Sequence, residues 1–200
     1  MCNDYAREIE AGRVIKLLRE MENVPPFEWE DGRIPNDVRP QPHIKIKDKG
    51  LIVRLRERRL AGTMMPWAWK TPTGKPVFNF VSEKRDFSKT DRCLILATGF
   101  YEYTDPKKPK VKLKDQHFFT LKGHDWFWIA GIVKQDAFAM LTTAPGPDMR
   151  PFHDRQICVM EPEVGMHWLK LDVPETDILR APPKGTLQVR TLRVDGVEVA

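Results

Sequence analysis

A 200-residue chain that is 41% hydrophobic and shows no compositional break is long enough for one well-cored domain spanning residues 1–200. Its 33 Lys and Arg against 28 Asp and Glu give a formal charge of +5 and a pI near 9.1, which favours a polyanionic partner such as nucleic acid. Three cysteines without CxxC spacing, five histidines without metal-ligand spacing and no apolar run long enough to span a bilayer argue against a disulfide framework, a zinc site and a membrane segment. The expectation is a reduced cytoplasmic protein, monomeric, with no metal and no cofactor.

The chain opens with "MCNDYA". Loss of Met1 would leave Cys2 with a free α-amine and a thiol on adjacent carbons. An α-amine has a pKa of about 7.7–8.0 against about 10.4 for lysine, so it is the better nucleophile toward an aldehyde at neutral pH. After imine formation the thiol of the same residue can close a thiazolidine ring. The bland alternative is a second residue without a role.

"EIEAGRVIKLLREME" places Ile9, Val14, Leu17, Leu18 and Met21 at helical spacing. The proline-rich "NVPPFEWEDGRIPNDVRPQP" reads as an irregular loop. From "HIKIKDKGLIVRLRERR" onward the period drops to two, and strands are expected there. Strands are also expected in "KPVFNFV", "RCLILATGFYEYT", "KVKLKD", "HFFTLKG", "DWFWIAGIV", "AFAMLTT", "RQICVM" and "GTLQVRTLRV". "PEVGMHWLKL" and "PETDILR" each begin with Pro-Glu, which suits a first helical turn. The fold class is therefore α+β: a β-rich domain with a mainly antiparallel, barrel-like sheet core and a few flanking helices.

Several residues stand out as candidates for chemistry. In "CLILATGFYEYT" a buried strand passes a Thr98-Gly99 break and delivers Glu102 between two tyrosines. A carboxyl in apolar, aromatic surroundings has a raised pKa and can move protons near neutrality. His153, flanked by Asp154 and Arg155, follows a glycine-proline loop of the kind that displays catalytic side chains. Asn79 alternates with Phe78 and Phe80. Trp67 and Trp69 beside Lys70 suit base stacking with a cation for phosphate, although packing in the core is the competing role.

Cys2, Asn79, "TGFYEYT" and "TTAPGPDMRPFHDR", in that order and at these distances, resemble the SRAP (SOS-response-associated peptidase) family. The similarity covers nearly the whole chain and includes "RPQP", Pro66-Trp67 and "WFWIAGI". It implies the SRAP fold and a covalent crosslink to abasic sites in single-stranded DNA through Cys2. It also implies self-catalysed removal of Met1, the source of the peptidase label, and room for a strand-cleaving lyase side reaction. The matching positions imply roles: Cys2 supplies both nucleophiles and Asn79 orients its amine. Glu102 shuttles protons, and His153 assists sugar ring opening and reversal. Trp67, Trp69, Lys70 and Arg155 are the expected DNA-binding residues.

The chain departs from the family pattern at Asn3 and Asp4, usually glycine and arginine, at Phe80 and Val81, usually alanine and arginine, and at Gln156, usually methionine. Two lost arginines imply altered DNA engagement. The competing readings are a thiol peptidase built on Cys2, His153 and Asn79, and a noncatalytic single-stranded DNA binding module.

Overall fold

The computed structural model describes residues 2–199. The described residues form a six-stranded, a nine-stranded and a two-stranded sheet with three helices, Ala11–Glu20, Gly165–Lys170 and Glu175–Ile178. Among the described residues no helix is long and apolar enough to cross a membrane.

The six-stranded sheet runs Val197–Glu198, Leu187–Val194, Asp115–Leu121, Gly99–Thr104, Asp4–Arg7, Gln41–Lys45. The spine of the nine-stranded sheet runs Gln156–Ile157, Ala137–Thr143, Phe127–Lys134, Arg92–Ala97, Lys49–Arg56, Arg59–Pro66, Phe27–Trp29. Its inner face meets the first sheet in a core that includes Tyr5, Ile44, Ile95, Phe100, Phe119 and Phe138. Its outer face is covered by the helices, where Val14, Leu18, Trp168 and Ile178 meet Leu94, Leu96 and Trp128. Cys93, Ile95 and Ala97 thus face one core while Leu94 and Leu96 face the other, the period-two partition of a strand buried on both sides. Double burial explains why "RCLILA" and "AFAMLTT" read as continuous apolar runs. Asp115–Leu121, by contrast, alternates buried and half-buried residues, as a strand with one wetter face should.

The break at Thr98-Gly99 is a corner where the chain changes sheets. Arg92–Ala97 belongs to the nine-stranded sheet and Gly99–Thr104 to the six-stranded one. Thr98 secures the turn: its N–H donates to the Ala6 carbonyl at 2.8 Å, and its Oγ1 accepts from the Glu8 N–H at 3.1 Å.

Four expectations change. The proline-rich loop contains a short strand, Phe27–Trp29, parallel to Leu60–Gly62, because its prolines flank the three paired residues. "KVKLKD" is irregular up to Asp115, after a Lys110 that occupies the left-handed region (φ 71°) and cannot continue a ladder. "RQICVM" divides at Cys158: Gln156–Ile157 pairs with Ala137–Thr143, Val159–Met160 with Phe127–Lys134. "KPVFNFV" likewise divides, with Pro76–Val77 on Trp69–Lys70 and Asn79–Val81 parallel to Met140–Thr142.

Cys2 precedes the Asp4–Arg7 strand, which is paired on both sides, with Gly99–Thr104 and Gln41–Lys45. Tyr5 on that strand is fully buried, and only a glycine at position 50 leaves room for its hydroxyl: a Cβ there would lie 2.0 Å from it. Gly50→Ala should therefore destabilise the fold by about 1–3 kcal/mol through overpacking. A urea unfolding midpoint unchanged from the parent would show that Tyr5 is not wedged.

Candidate active site

Cys2 is 1% exposed and belongs to the core between the sheets. Its thiol donates to the Asp4 carbonyl at 3.3 Å, and its own carbonyl accepts from Asn79 Nδ2 at 2.8 Å. Asn79 reaches it because the parallel pairing sets Asn79 beside Met140, a residue of the inter-sheet core. Asn79 is therefore no solvated strand residue. Its Oδ1 is buried and makes no hydrogen bond among the described residues.

Glu102 is 3% exposed. Two positions from Phe100 on the same strand, it shares the inward face of the six-stranded sheet. Burial lifts its carboxyl to about 7. The tyrosines beside it in sequence do not provide the apolar surroundings. Tyr101 donates its hydroxyl to the Pro42 carbonyl and Tyr103 to Asp4 Oδ2, both on the sheet's other face. The Cys2 thiol is held well above its ordinary value, first by burial and then by the nearby Glu102 charge. It is therefore a thiol at neutral pH, not a thiolate.

His153 lies in the loop ahead of Gln156–Ile157. The Arg155 backbone N–H donates to its Nδ1 at 2.9 Å, and Asp154 Oδ1 lies 2.7 Å from the same nitrogen. Desolvation lowers the imidazole below its usual value, so the neutral ring prevails at pH 7. The Arg155 amide suits an unprotonated Nδ1 and the Asp154 carboxylate suits a protonated one, so the two contacts draw the ring toward opposite tautomers. Protonation of the ring would turn Nδ1–H toward Asp154.

The loop is anchored by two devices. Arg155 forms a two-pronged pair with Glu83, 2.7 Å for each nitrogen, and donates from Nη2 to the Thr142 carbonyl at 3.0 Å. Gln156 accepts the Gly146 N–H on Oε1 at 3.0 Å, a bond that methionine could not make. The expected role of Arg155 on a DNA phosphate is corrected: its planar fork is committed to a carboxylate, and it braces His153.

The tryptophans are also corrected. Trp67 is fully buried, edge-on to Tyr5 at 5.4 Å, and donates Nε1–H to the Phe78 carbonyl at 2.9 Å. Trp69 is 7% exposed and belongs to the helix-side core. Neither offers a face to a base. Lys70 is exposed. Asp4 does not confront solvent as an unpaired anion either. It is 2% exposed, and Oδ2 receives the Tyr103 hydroxyl at 2.9 Å and meets His43 Nδ1 at 3.0 Å. Asp4 thereby ties the N-terminal strand to both neighbours. Phe80 packs toward Trp69 and Phe87, and Val81 is 44% exposed.

Sequence reasoning missed His117. It pairs in register directly opposite Glu102, and its ring nitrogens meet Thr104 Oγ1 at 2.9 Å and Thr191 Oγ1 at 3.0 Å. Its ring packs edge-on to Phe152 at 4.6 Å, next to His153 in sequence. His117 therefore links the Glu102 strand to the His153 loop. Only strand register reveals this; the alternation in "HFFTL" gives the face but not the partner.

Comparison with known proteins gives a consistent picture. The SOS response associated peptidase (SRAP) family model matches residues 1–195. Proteins named abasic site processing protein YoqW, from Bacillus subtilis (strain 168) and Bacillus phage SPbeta, are 30% identical over 134 residues, 60% of this chain. The match spans 59% of those relatives' length. Among solved structures, a protein from Bacteroides thetaiotaomicron aligns over 97% of this chain and 93% of its own (TM-score 0.68, 16% identity). A phage-related protein from Bordetella bronchiseptica aligns over 96% and 94% (TM-score 0.68, 19% identity). These two establish likeness of fold.

Trp67→Ala should cost about 3–5 kcal/mol of stability, the usual penalty for emptying a buried tryptophan site. Chemical denaturation measures it. A variant as stable as the parent would return Trp67 to the surface role expected from sequence.

Proposed function

Because the chain belongs to the SRAP family, we propose that it processes abasic sites in DNA by condensing the Cys2 α-amine and thiol with the sugar aldehyde, shielding the lesion in the DNA damage response. The observation that carries this reading is the meeting of three side chains in one buried site. Asn79 grips the Cys2 carbonyl at 2.8 Å, and Glu102 is close enough to raise the Cys2 thiol.

Met1 lies outside the described residues, and the chemistry begins once it is removed. The freed amine adds to C1′ of the open-chain sugar, Asn79 Oδ1 accepting one of its hydrogens. Loss of water from the carbinolamine gives the imine. The Cys2 sulfur then adds to the imine carbon, its proton passing through Glu102 to the nitrogen, and the thiazolidine closes. A carboxyl near 7 is present in both forms at neutral pH, so it can deliver the proton that expels water and accept the thiol's. His153, neutral at pH 7, serves as the base that takes the C1′ hydroxyl proton as the sugar ring opens, and returns it on reversal.

The protonated state of Cys2 favours this route over a thiol peptidase acting on other proteins, which needs a depressed thiol pKa. Release of Met1, a single event in the same site, accounts for the peptidase label. The same imine permits β-elimination, a lyase side reaction. The substrate strand is single-stranded, with Lys70 among the exposed cations that meet it, and the protein acts as a cytoplasmic monomer.

The rate of adduct formation with a single-stranded oligonucleotide carrying one abasic site tests the proton role. Glu102 acts as base when ionised, so the rate should climb as pH rises through about 7. Glu102→Gln should slow closure on the order of 10²-fold and remove that limb, leaving the climb near 8 that belongs to the amine. An unchanged pH profile in the variant would remove Glu102 from the mechanism, and an adduct with Cys2→Ala would remove the mechanism itself.

A further inference from the structure

An open cleft of about 600 Å³ lies between the Ser82–Arg85 segment, the Thr143–Pro147 loop and the Glu175–Pro182 segment. Its floor is apolar, formed by Pro145, Leu179, Ala181 and Pro182. Its rim carries Lys84, Arg85, Arg150 and Arg180, all exposed. Two carboxylates also line it, and both are engaged elsewhere. Glu83 holds Arg155, and Glu175 accepts the Phe87 N–H at 2.9 Å. Among the described residues none of the four rim cations forms an ion pair, and Arg85 lies over the Phe80 ring at 4.4 Å. Behind the Gly146 turn, the 2% exposed Gln156 keeps an Nε2 with no hydrogen-bond partner.

A nucleotide combines a flat, apolar-faced ring with an anion, the complement of an apolar floor under a cationic rim. The cleft falls within the roughly 300–1,000 Å³ range of small-molecule sites. It is also linked to the active site by a short chain of contacts. Glu83 lines the cleft and holds Arg155, whose amide holds His153. The residues just after Asn79 are Phe80, turned into the core, and Val81, apolar and exposed, and the cleft begins at the next residue, Ser82.

We infer that the cleft is a subsite for one nucleotide of the DNA strand flanking the reacting sugar. Its base lies on the proline-alanine floor, and its phosphates lie against Arg150 and Arg180. The inference rests on the DNA reading above and adds where the strand runs.

The test uses single-stranded oligonucleotides with a nonreactive tetrahydrofuran abasic analogue, extended by several nucleotides on the 5′ side, the 3′ side or both, with affinity read by fluorescence anisotropy. The parent protein should gain roughly tenfold in affinity from extension on one side only, within the range that seating one base contributes. The Arg150→Ala/Arg180→Ala double variant, altered only at exposed positions, should lose that gain. Its log–log salt slope should flatten by about 1.4, at ~0.7 per lost single-strand phosphate contact. Ala181→Phe, which fills the floor, should lose the gain without the change in slope. All should still crosslink the shortest reactive abasic oligonucleotide at the parent rate. A double variant that crosslinks normally and keeps the gain and the slope would overturn the subsite alone. A parent protein that neither binds nor crosslinks any of these strands would overturn the DNA reading, and the subsite with it.

Discussion

The site depends on one constraint: the residues that follow Cys2 are built into the interior of a sheet. Chain ends ordinarily fray, because few contacts hold them. Here the Asp4–Arg7 strand is hydrogen-bonded on both sides, Tyr5 is locked in the core, and Asp4 joins the strand to Tyr103 and His43. A residue directly ahead of such a strand has little freedom. The Asn79 hydrogen bond to the Cys2 carbonyl removes more of it. In the proposed reaction, holding Cys2 in place before the substrate arrives would give the ring closure its intramolecular advantage.

Burial also sets the protonation states. It raises the Cys2 thiol, lifts Glu102 to about 7 and lowers His153. A neutral thiol, a carboxyl poised at neutrality and an uncharged imidazole are one consequence of excluding water from three groups of different charge type. In the proposed reaction the arrangement would supply a proton donor and a proton acceptor around the Cys2 amine while keeping the thiol unreactive toward chance electrophiles. The fold achieves this through the corner at Thr98, which carries the strand of Glu102 from one sheet into the other, alongside Asp4–Arg7.

Much of this was legible in the sequence. The apolar runs around Cys93 and Leu141, the Thr98-Gly99 break and the β-rich class follow from periodicity and composition. Cys2, Asn79, Glu102 and His153 could be named because motif order pointed to them. Long-range pairing could not be read. The tryptophans look like a stacking pair because a spacing of two suggests one shared strand face, but Ala68, in the left-handed region (φ 97°), breaks the strand between them and sends Trp67 to the inter-sheet core and Trp69 to the helix-side core. Arg155 looks like a phosphate ligand until Glu83, 72 residues away, is seen to occupy its fork. Asp4 appears as a charge substitution, and becomes a structural joint only when His43 and Tyr103 are placed beside it. His117 faces Glu102 through strand register, which no local pattern encodes.

The central claim is that amine and thiol of the same residue react together with one aldehyde. Intact mass of the product tests it most directly, comparing protein that lacks Met1 with protein that retains it, each mixed with an abasic single strand and no reductant. The account requires a heat-stable species at the summed mass less one water, formed only when Met1 is absent. A stable adduct on the Met1-bearing protein, or one at the full summed mass, would mean that the thiol acts alone and would contradict the account.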